Sequence, residues 1–169
     1  MVEITTDHLK WIERCVVDKD DLRRLRNTWK LKSKRIAFTN GCFDLLHVGH
    51  LHTLIYAADR SDVLIVGVNS DASVTRLKGE SRPLIGQAER ARMVSAIGIV
   101  DVVVIFSDDT PLEVIKFLQP DLLVKGGDWK KEDVVGADVV EANGGQVEIV
   151  PYLEDWSTTD LETRLRAGG

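Results

Sequence analysis

Hydrophobic residues are arranged along this chain in two ways. Five short runs are continuous and rich in β-branched residues: Arg35–Thr39, Asp62–Asn69, Asp101–Phe106, Asp121–Val124 and Gln146–Val150. Unbroken runs of this kind fit parallel strands covered on both faces. Helical patterns lie between them, over Val48–Arg60, Gln87–Ile97, Pro111–Leu118 and Glu132–Asn143, and a last one spans Ser157–Leu165. Their ends carry matching chemistry: Pro111 opens a first turn, Gly144 and Gly145 follow the fourth pattern, and Ser157-Thr158-Thr159 begins the last. Ahead of the first strand, residues 7–32 read as helical, with Leu22, Leu25 and Trp29 at three- and four-residue spacing. Strand and helix in alternation predict an α/β fold, a doubly wound sheet of five parallel strands with right-handed crossovers. Residues 1–33 then form an N-terminal helical appendage and residues 34–169 the sheet domain. Ligands in such sheets sit at the carboxyl ends of the strands, so function is sought in the loops that follow them.

Composition narrows the class. At 169 residues, the chain has the length of one domain with a core of its own. Its longest apolar runs, Val63–Val68 and Val102–Phe106, fall far short of the roughly 20 residues a bilayer span needs. The first ten residues, MVEITTDHLK, carry acids where a signal peptide needs a basic and then an apolar stretch. Neither export nor membrane insertion is expected. Cys15 and Cys42 are the only cysteines, too few for a disulfide framework, and a reducing cytoplasm fits them best. A net charge of −5 argues against a dedicated nucleic-acid binder. The charge is uneven, with ten Lys/Arg against six Asp/Glu in residues 1–35. That basic segment reads either as a solvated helix pair or as a phosphate or partner surface.

The loop after the first strand holds the clearest chemistry. Of four histidines in the chain, three lie between His47 and His52. Asn40-Gly41 gives a tight turn with exposed backbone N–H groups, and Gly49 permits close approach at the start of a helix. A helix N-terminus attracts phosphate through its free N–H groups and dipole. His47 and His50 are three apart, so both can face one bound group and donate to a phosphate as charge builds on it. A zinc site from Cys42, His47, His50 and His52, or histidines satisfied by the backbone, are the competing readings. No GxxxxGK[ST] occurs, so a P-loop is excluded. Nothing marks a base that would make Cys42 a nucleophile. His52 reads as a helix-surface or packing residue.

Three more strand ends contribute. After Asn69 and Asp71 comes Arg76-Leu-Lys78-Gly79-Glu-Ser-Arg82-Pro83, a loop whose Lys78 and Arg82 suit a polyphosphate. The fourth strand ends in Lys125-Gly126-Gly127-Asp128-Trp129, where the glycines let a ligand approach the backbone. Asp128 can accept from a sugar hydroxyl or a base amine, or cap the next turn; Trp129 reads more readily as core cover than as a stacking surface. Ser157, Thr158 and Thr159 offer hydroxyls and N–H groups for a second phosphate cradle.

GCFDLLHVGH at 41–50 resembles the G-x-F-D-x-x-H-x-G-H signature of the cytidylyltransferase-like nucleotidyltransferases. The Glu89-Arg90 helix and the K-G-x-x-R-P loop before it are similar to segments of the same family. So is STT at 157–159, although Tyr152, Asp155 and Trp156 replace the Arg, Gly and Ile of the family motif there. The resemblance covers residues 34–166 and implies a HUP-type, Rossmann-like fold. It implies His47, His50 and Lys78 as catalytic residues. Nucleotide would be bound by Asn40, Gly41, Cys42, Phe43, Gly49, Arg82, Lys125, Gly127, Asp128, Ser157, Thr158 and Thr159, and the second substrate by Asp44, Asn69 and Asp71. Mg²⁺ would accompany ATP, with no protein ligand assigned to it.

TNGCFDLLHVGH, VNSDASVTRLKGESRP, PDLLVKGGDW and STT together look like one branch, which adenylylates D-glycero-D-manno-heptose 1-phosphate to ADP-heptose for lipopolysaccharide or related surface glycans. With no kinase segment in the chain, the resemblance is to the stand-alone form. ATP and a sugar 1-phosphate are then the partners, and a homo-oligomer, a dimer, is expected. The same fold with CTP and glycerol or ethanolamine phosphate, or with ATP and a flavin phosphate, stays open. So does a non-catalytic nucleotide-binding regulator.

Overall fold

The computed structural model describes residues 7–151. In chain order the elements are α1 (Asp7–Cys15), β1 (Val16–Val17), α2 (Lys19–Leu31), β2 (Ile36–Gly41), α3 (Val48–Ala58), β3 (Val63–Asn69), α4 (Asp71–Lys78), α5 (Gln87–Ser95), β4 (Val102–Phe106), α6 (Leu112–Leu118), β5 (Leu122–Gly126), a 3₁₀ turn (Lys131–Asp133), α7 (Ala137–Ala142) and β6 (Gln146–Val150). The six strands form one parallel sheet in the order β1-β4-β3-β2-β5-β6. From β2 the chain winds outward through β3 to β4, then returns to the other side of β2 for β5 and β6. The order therefore reverses between β2 and β5, and a crevice opens at the carboxyl ends of those two strands.

Alternation along the strands builds two cores, one on each face. Ile36, Phe38, Ile65, Val104 and Leu123 pack with Leu22 of α2, with Ile115 and Leu118 of α6, and with Val140 of α7. Ala37, Leu64, Val66, Val103 and Val124 pack with Leu54 and Ala57 of α3 and with Ala91 and Val94 of α5. At the amino edge, aspartates that precede strands accept backbone N–H groups of neighbouring strands. Asp62 accepts from Arg35, Asp101 from Leu64 and Asp121 from Ile36, each at 2.8 Å. These carboxylates satisfy strand-start donors that lack a ladder partner.

The sequence reading needs three corrections. The sheet has six strands, not five, because Val16–Val17 pairs in parallel with Val103 and Val104. Two residues make no readable run, and the region expected to be purely helical supplies an edge strand. Residues 71–78 form α4 where a loop was expected, capped by Ser70, whose Oγ accepts from Ser73 N at 3.3 Å. Val74 is its one fully buried large apolar residue, so no apolar stripe announces it. The pattern over Glu132–Asn143 is interrupted at Gly136, whose φ of +85° ends the 3₁₀ turn region before α7 begins. The expected helix over Ser157–Leu165 lies outside the described residues.

Candidate active site

At the switch point lies a cavity of ≈ 530 Å³ lined from both sides of the order reversal. That volume is within the range of small-ligand clefts. β2 contributes Thr39 to Gly41 and the loop beyond it, α3 contributes His47, Gly49 and His50, and β5 contributes Lys125 and Gly126. Gly127 has φ +123°, a conformation open to glycine alone, and its N–H donates to Val150 O at 2.8 Å.

The loop between β2 and α3 is held under tension between two anchors. Phe43 has φ +51° while its ring is 4% exposed, a left-handed backbone at a bulky residue that costs about 1–2 kcal/mol. Before it, the carbonyl of Cys42 accepts a short hydrogen bond from Nη1 of Arg90. Arg90 is 0% exposed, and it also donates from Nε to Ile85 O at 2.8 Å and from Nη2 to Asp71 Oδ1 at 2.7 Å. After Phe43, Asp44 is 2% exposed and accepts from Arg82 Nη1 (2.7 Å), Leu84 N (2.7 Å) and Ile85 N (3.1 Å). Burial alone would raise the Asp44 carboxyl, but the Arg82 hydrogen bond and the two amides outweigh it and hold the carboxyl below its ordinary value.

The two histidines meet at the start of α3, their ring centroids 3.9 Å apart, and the Phe43 ring lies 5.1 Å from that of His50. Burial first, then the neighbouring His47 and Lys78, pushes His50 down to about 3, so its imidazole is neutral at pH 7. His50 Nδ1 accepts from His47 N–H at 3.4 Å. The single ring proton therefore sits on Nε2, as a donor. Lys125 is the second cation of the cleft. Burial holds its ammonium below the ordinary lysine value, the nearby Cys42 opposing this in part, and Nζ stands 5.5 Å from the centroid of the Trp129 ring.

The cleft brings together most of the residues the sequence singled out. Asn40, Gly41, Cys42, Phe43, Asp44, His47, Gly49, His50, Asn69, Lys78, Lys125 and Gly127 all line it. Three do not. Arg82 turns inward to Asp44, Asp71 is taken by Arg90, and Asp128 is exposed and outside the lining. Lys78 is the last residue of α4, not a loop lysine. Trp129 lines the cleft at 47% exposure and is no core cover. Ser157, Thr158 and Thr159 lie outside the described residues. The sequence reading missed Thr39, Thr53, Leu77, Asp109, Thr110 and Val135. Only Asp109-Thr110 had a signal, an acid and a hydroxyl directly after the third expected strand. Among the described residues, no three His, Cys, Asp or Glu side chains cluster as metal ligands, which sets aside the zinc reading. None of their helices is long and apolar enough to cross a membrane.

Comparison with known proteins adds a family and relatives. A family model described as cytidylyltransferase-like matches residues 38–162. The bifunctional protein HldE of Geotalea uraniireducens is 54% identical over 149 residues, covering 88% of this chain and 30% of that protein. The HldE of Geobacter metallireducens is 54% identical over 151 residues, 89% of this chain and 31% of its own length. The chain thus spans about 30% of the length of these curated relatives. A lipopolysaccharide core biosynthesis protein from Thermoplasma volcanium superimposes with a TM-score of 0.57 at 25% identity, over 71% of this chain and 97% of that one. Pantoate-beta-alanine ligase from Francisella tularensis shares the fold, with a TM-score of 0.61 at 16% identity over 89% of this chain and 76% of that one.

Proposed function

The chain belongs to the cytidylyltransferase-like family and is a nucleotidyltransferase, and from that premise we propose that it transfers the adenylyl group of ATP to D-glycero-D-manno-heptose 1-phosphate, releasing pyrophosphate and ADP-heptose. One observation carries the reading. A neutral His50, its Nε2–H free to donate, stands beside His47 at a helix N-terminus in a switch-point cleft that also holds Lys78 and Lys125. Identity of about one half to bifunctional HldE proteins and likeness to a lipopolysaccharide core biosynthesis protein support the heptose branch.

The chemistry needs few groups. The sugar phosphate is ionised at pH 7, so an oxygen of it attacks the α-phosphorus in line without a general base, and pyrophosphate leaves. No covalent enzyme intermediate is required, and catalysis rests on positioning and charge stabilisation. His50 Nε2–H and His47 donate to the phosphoryl oxygens as charge grows at the α-phosphorus. Gly127 leaves room for the phosphates against the backbone, while the Phe43 ring packs over Gly41. Lys125 meets the nucleotide phosphates, and Lys78 the acceptor phosphate or the leaving group. Enzymes of this kind use a divalent metal with the nucleotide. The buried cleft carboxylate is already committed, Asp44 to Arg82 and two amides, which fits a cation carried on the triphosphate. Mg²⁺ there supplies neutralisation of phosphate charge.

The test is a panel of ATP, CTP, GTP and UTP against heptose 1-phosphate, glycerol phosphate and ethanolamine phosphate, read by pyrophosphate release. ATP with heptose 1-phosphate is expected to be fastest. A faster reaction of CTP with glycerol phosphate would overturn the branch and leave the family intact.

A further inference from the structure

The sheet ladder does not fix the width of the cleft. β2 pairs with β3 along its whole length, from Ile36 to Gly41, but with β5 only at Ala37↔Leu122 and Phe38↔Leu123. Beyond Leu123, the end of β5 that brings Lys125 and Gly126 to the cleft is paired with β6 and not with β2. The facing wall is α3, whose start carries His47 and His50. Across the gap Thr53 of α3 meets Gly126. A Cβ placed on Gly126 would have three Thr53 atoms as its nearest neighbours: it would overlap Oγ1 and stand 3.4 Å from both Cβ and Cγ2. Gly126 has no positive φ, unlike Gly127 at +123°. Its backbone suits any residue, so what the glycine supplies is space. Thr53 fills that space, and a ligand does not enter it.

We propose that the Thr53–Gly126 contact is the spacer of the site, setting the height of the first turn of α3 over the end of β5 and so the placement of His47 and His50 against the phosphates. Its part in catalysis rests on the adenylyl-transfer reading above. Thr53 and Gly126 are positioning residues, acting through the histidines and not on substrate. The path from the contact to the histidines is short. Thr53 Oγ1 donates to Gly49 O at 3.2 Å, and Gly49 lies between His47 and His50 in the chain. A push on the Thr53 side chain therefore reaches that turn directly. The side chain has little freedom to evade it, because a β-branched residue in a helix is stiff at χ1 and swinging Oγ1 away gives up the Gly49 bond. His50 reports the height of the turn, since burial is the main cause of its neutral state, ahead of His47 and Lys78.

The experiment is a double-mutant cycle of Gly126→Ala, Thr53→Ala and the two together. It is read by NMR titration of His50 in the unliganded proteins and by steady-state kinetics with ATP and heptose 1-phosphate. Wild type should show no His50 inflection above about pH 5. Gly126→Ala, whose methyl lifts the turn and lets water reach the ring, should bring an inflection above about pH 5. It should also lower kcat at least about tenfold and leave KM for ATP within about threefold. In the Thr53→Ala background the added methyl meets no Oγ1, and both effects should vanish. Should Gly126→Ala not fold, Thr53→Val, which sets a larger methyl group where Oγ1 faces Gly126, should move the His50 titration and kcat in the same directions. An unmoved His50 titration, an unchanged kcat beside a moved titration, or effects of Gly126→Ala that persist in the Thr53→Ala background would each overturn the spacer, whatever happens to Tm. Wild type inactive with this substrate pair would overturn the adenylyl-transfer reading, and the titration cycle alone then decides the spacer.

Discussion

A neutral histidine at the start of α3 has a thermodynamic signature that does not depend on knowing the substrate. His50 is held near 3 in the folded protein, mainly by burial and then by His47 and Lys78, whereas an unfolded histidine titrates near 6.5. Between those values the unfolded chain binds a proton that the folded chain refuses. Stability is therefore fully present above about pH 6.5 and is lost as pH falls. Integrating the linkage relation from pH 7.5 to 5.0 gives a loss of about 2 kcal/mol from this one residue. The assay is urea unfolding at the two pH values for wild type and His50→Gln, whose amide can still accept from His47 N–H. Wild type should lose about 2 kcal/mol more than the variant over this interval. Equal losses would show that His50 titrates normally, and the Nε2–H donor assigned to it would fall with that result. The same argument gives a kinetic expectation: kcat should show no inflection from His50 above about pH 5.

Two further outcomes follow from the cleft. Lys125→Met should leave Tm unchanged or raised, because burial already penalises the ammonium, and should weaken ATP binding at least about tenfold by calorimetry; a lowered Tm with intact affinity would make Lys125 structural. Arg90→Met leaves the Cys42 and Ile85 carbonyls without their donor, while the 45% exposed Asp71 rehydrates, and should cost about 2–3 kcal/mol in urea unfolding; a loss under about 1 kcal/mol would show that the loop holds its left-handed Phe43 unaided.

The sequence determined the parts of this protein that depend on local pattern. Continuous β-branched runs located β2 to β6, because strands buried on both faces admit little else. The strand–glycine turn–histidine–helix order of residues 36–50 located the candidate phosphate site, because such a site at a helix N-terminus is built from contiguous chain. Tertiary structure decided what depended on partners far along the chain. Arg82 and Asp71 look like ligand groups in the sequence, but Asp44 and Arg90, which lie 38 and 19 residues away, claim them as loop anchors. Val16–Val17 became a strand only because the β4 edge was open to it. Asp109 came to line the cleft only because α4, itself unannounced by any apolar stripe, fixes its loop there. The ionisation of His50 was set the same way: its sequence gives an ordinary imidazole, and only burial beside His47 and Lys78 makes it a neutral donor.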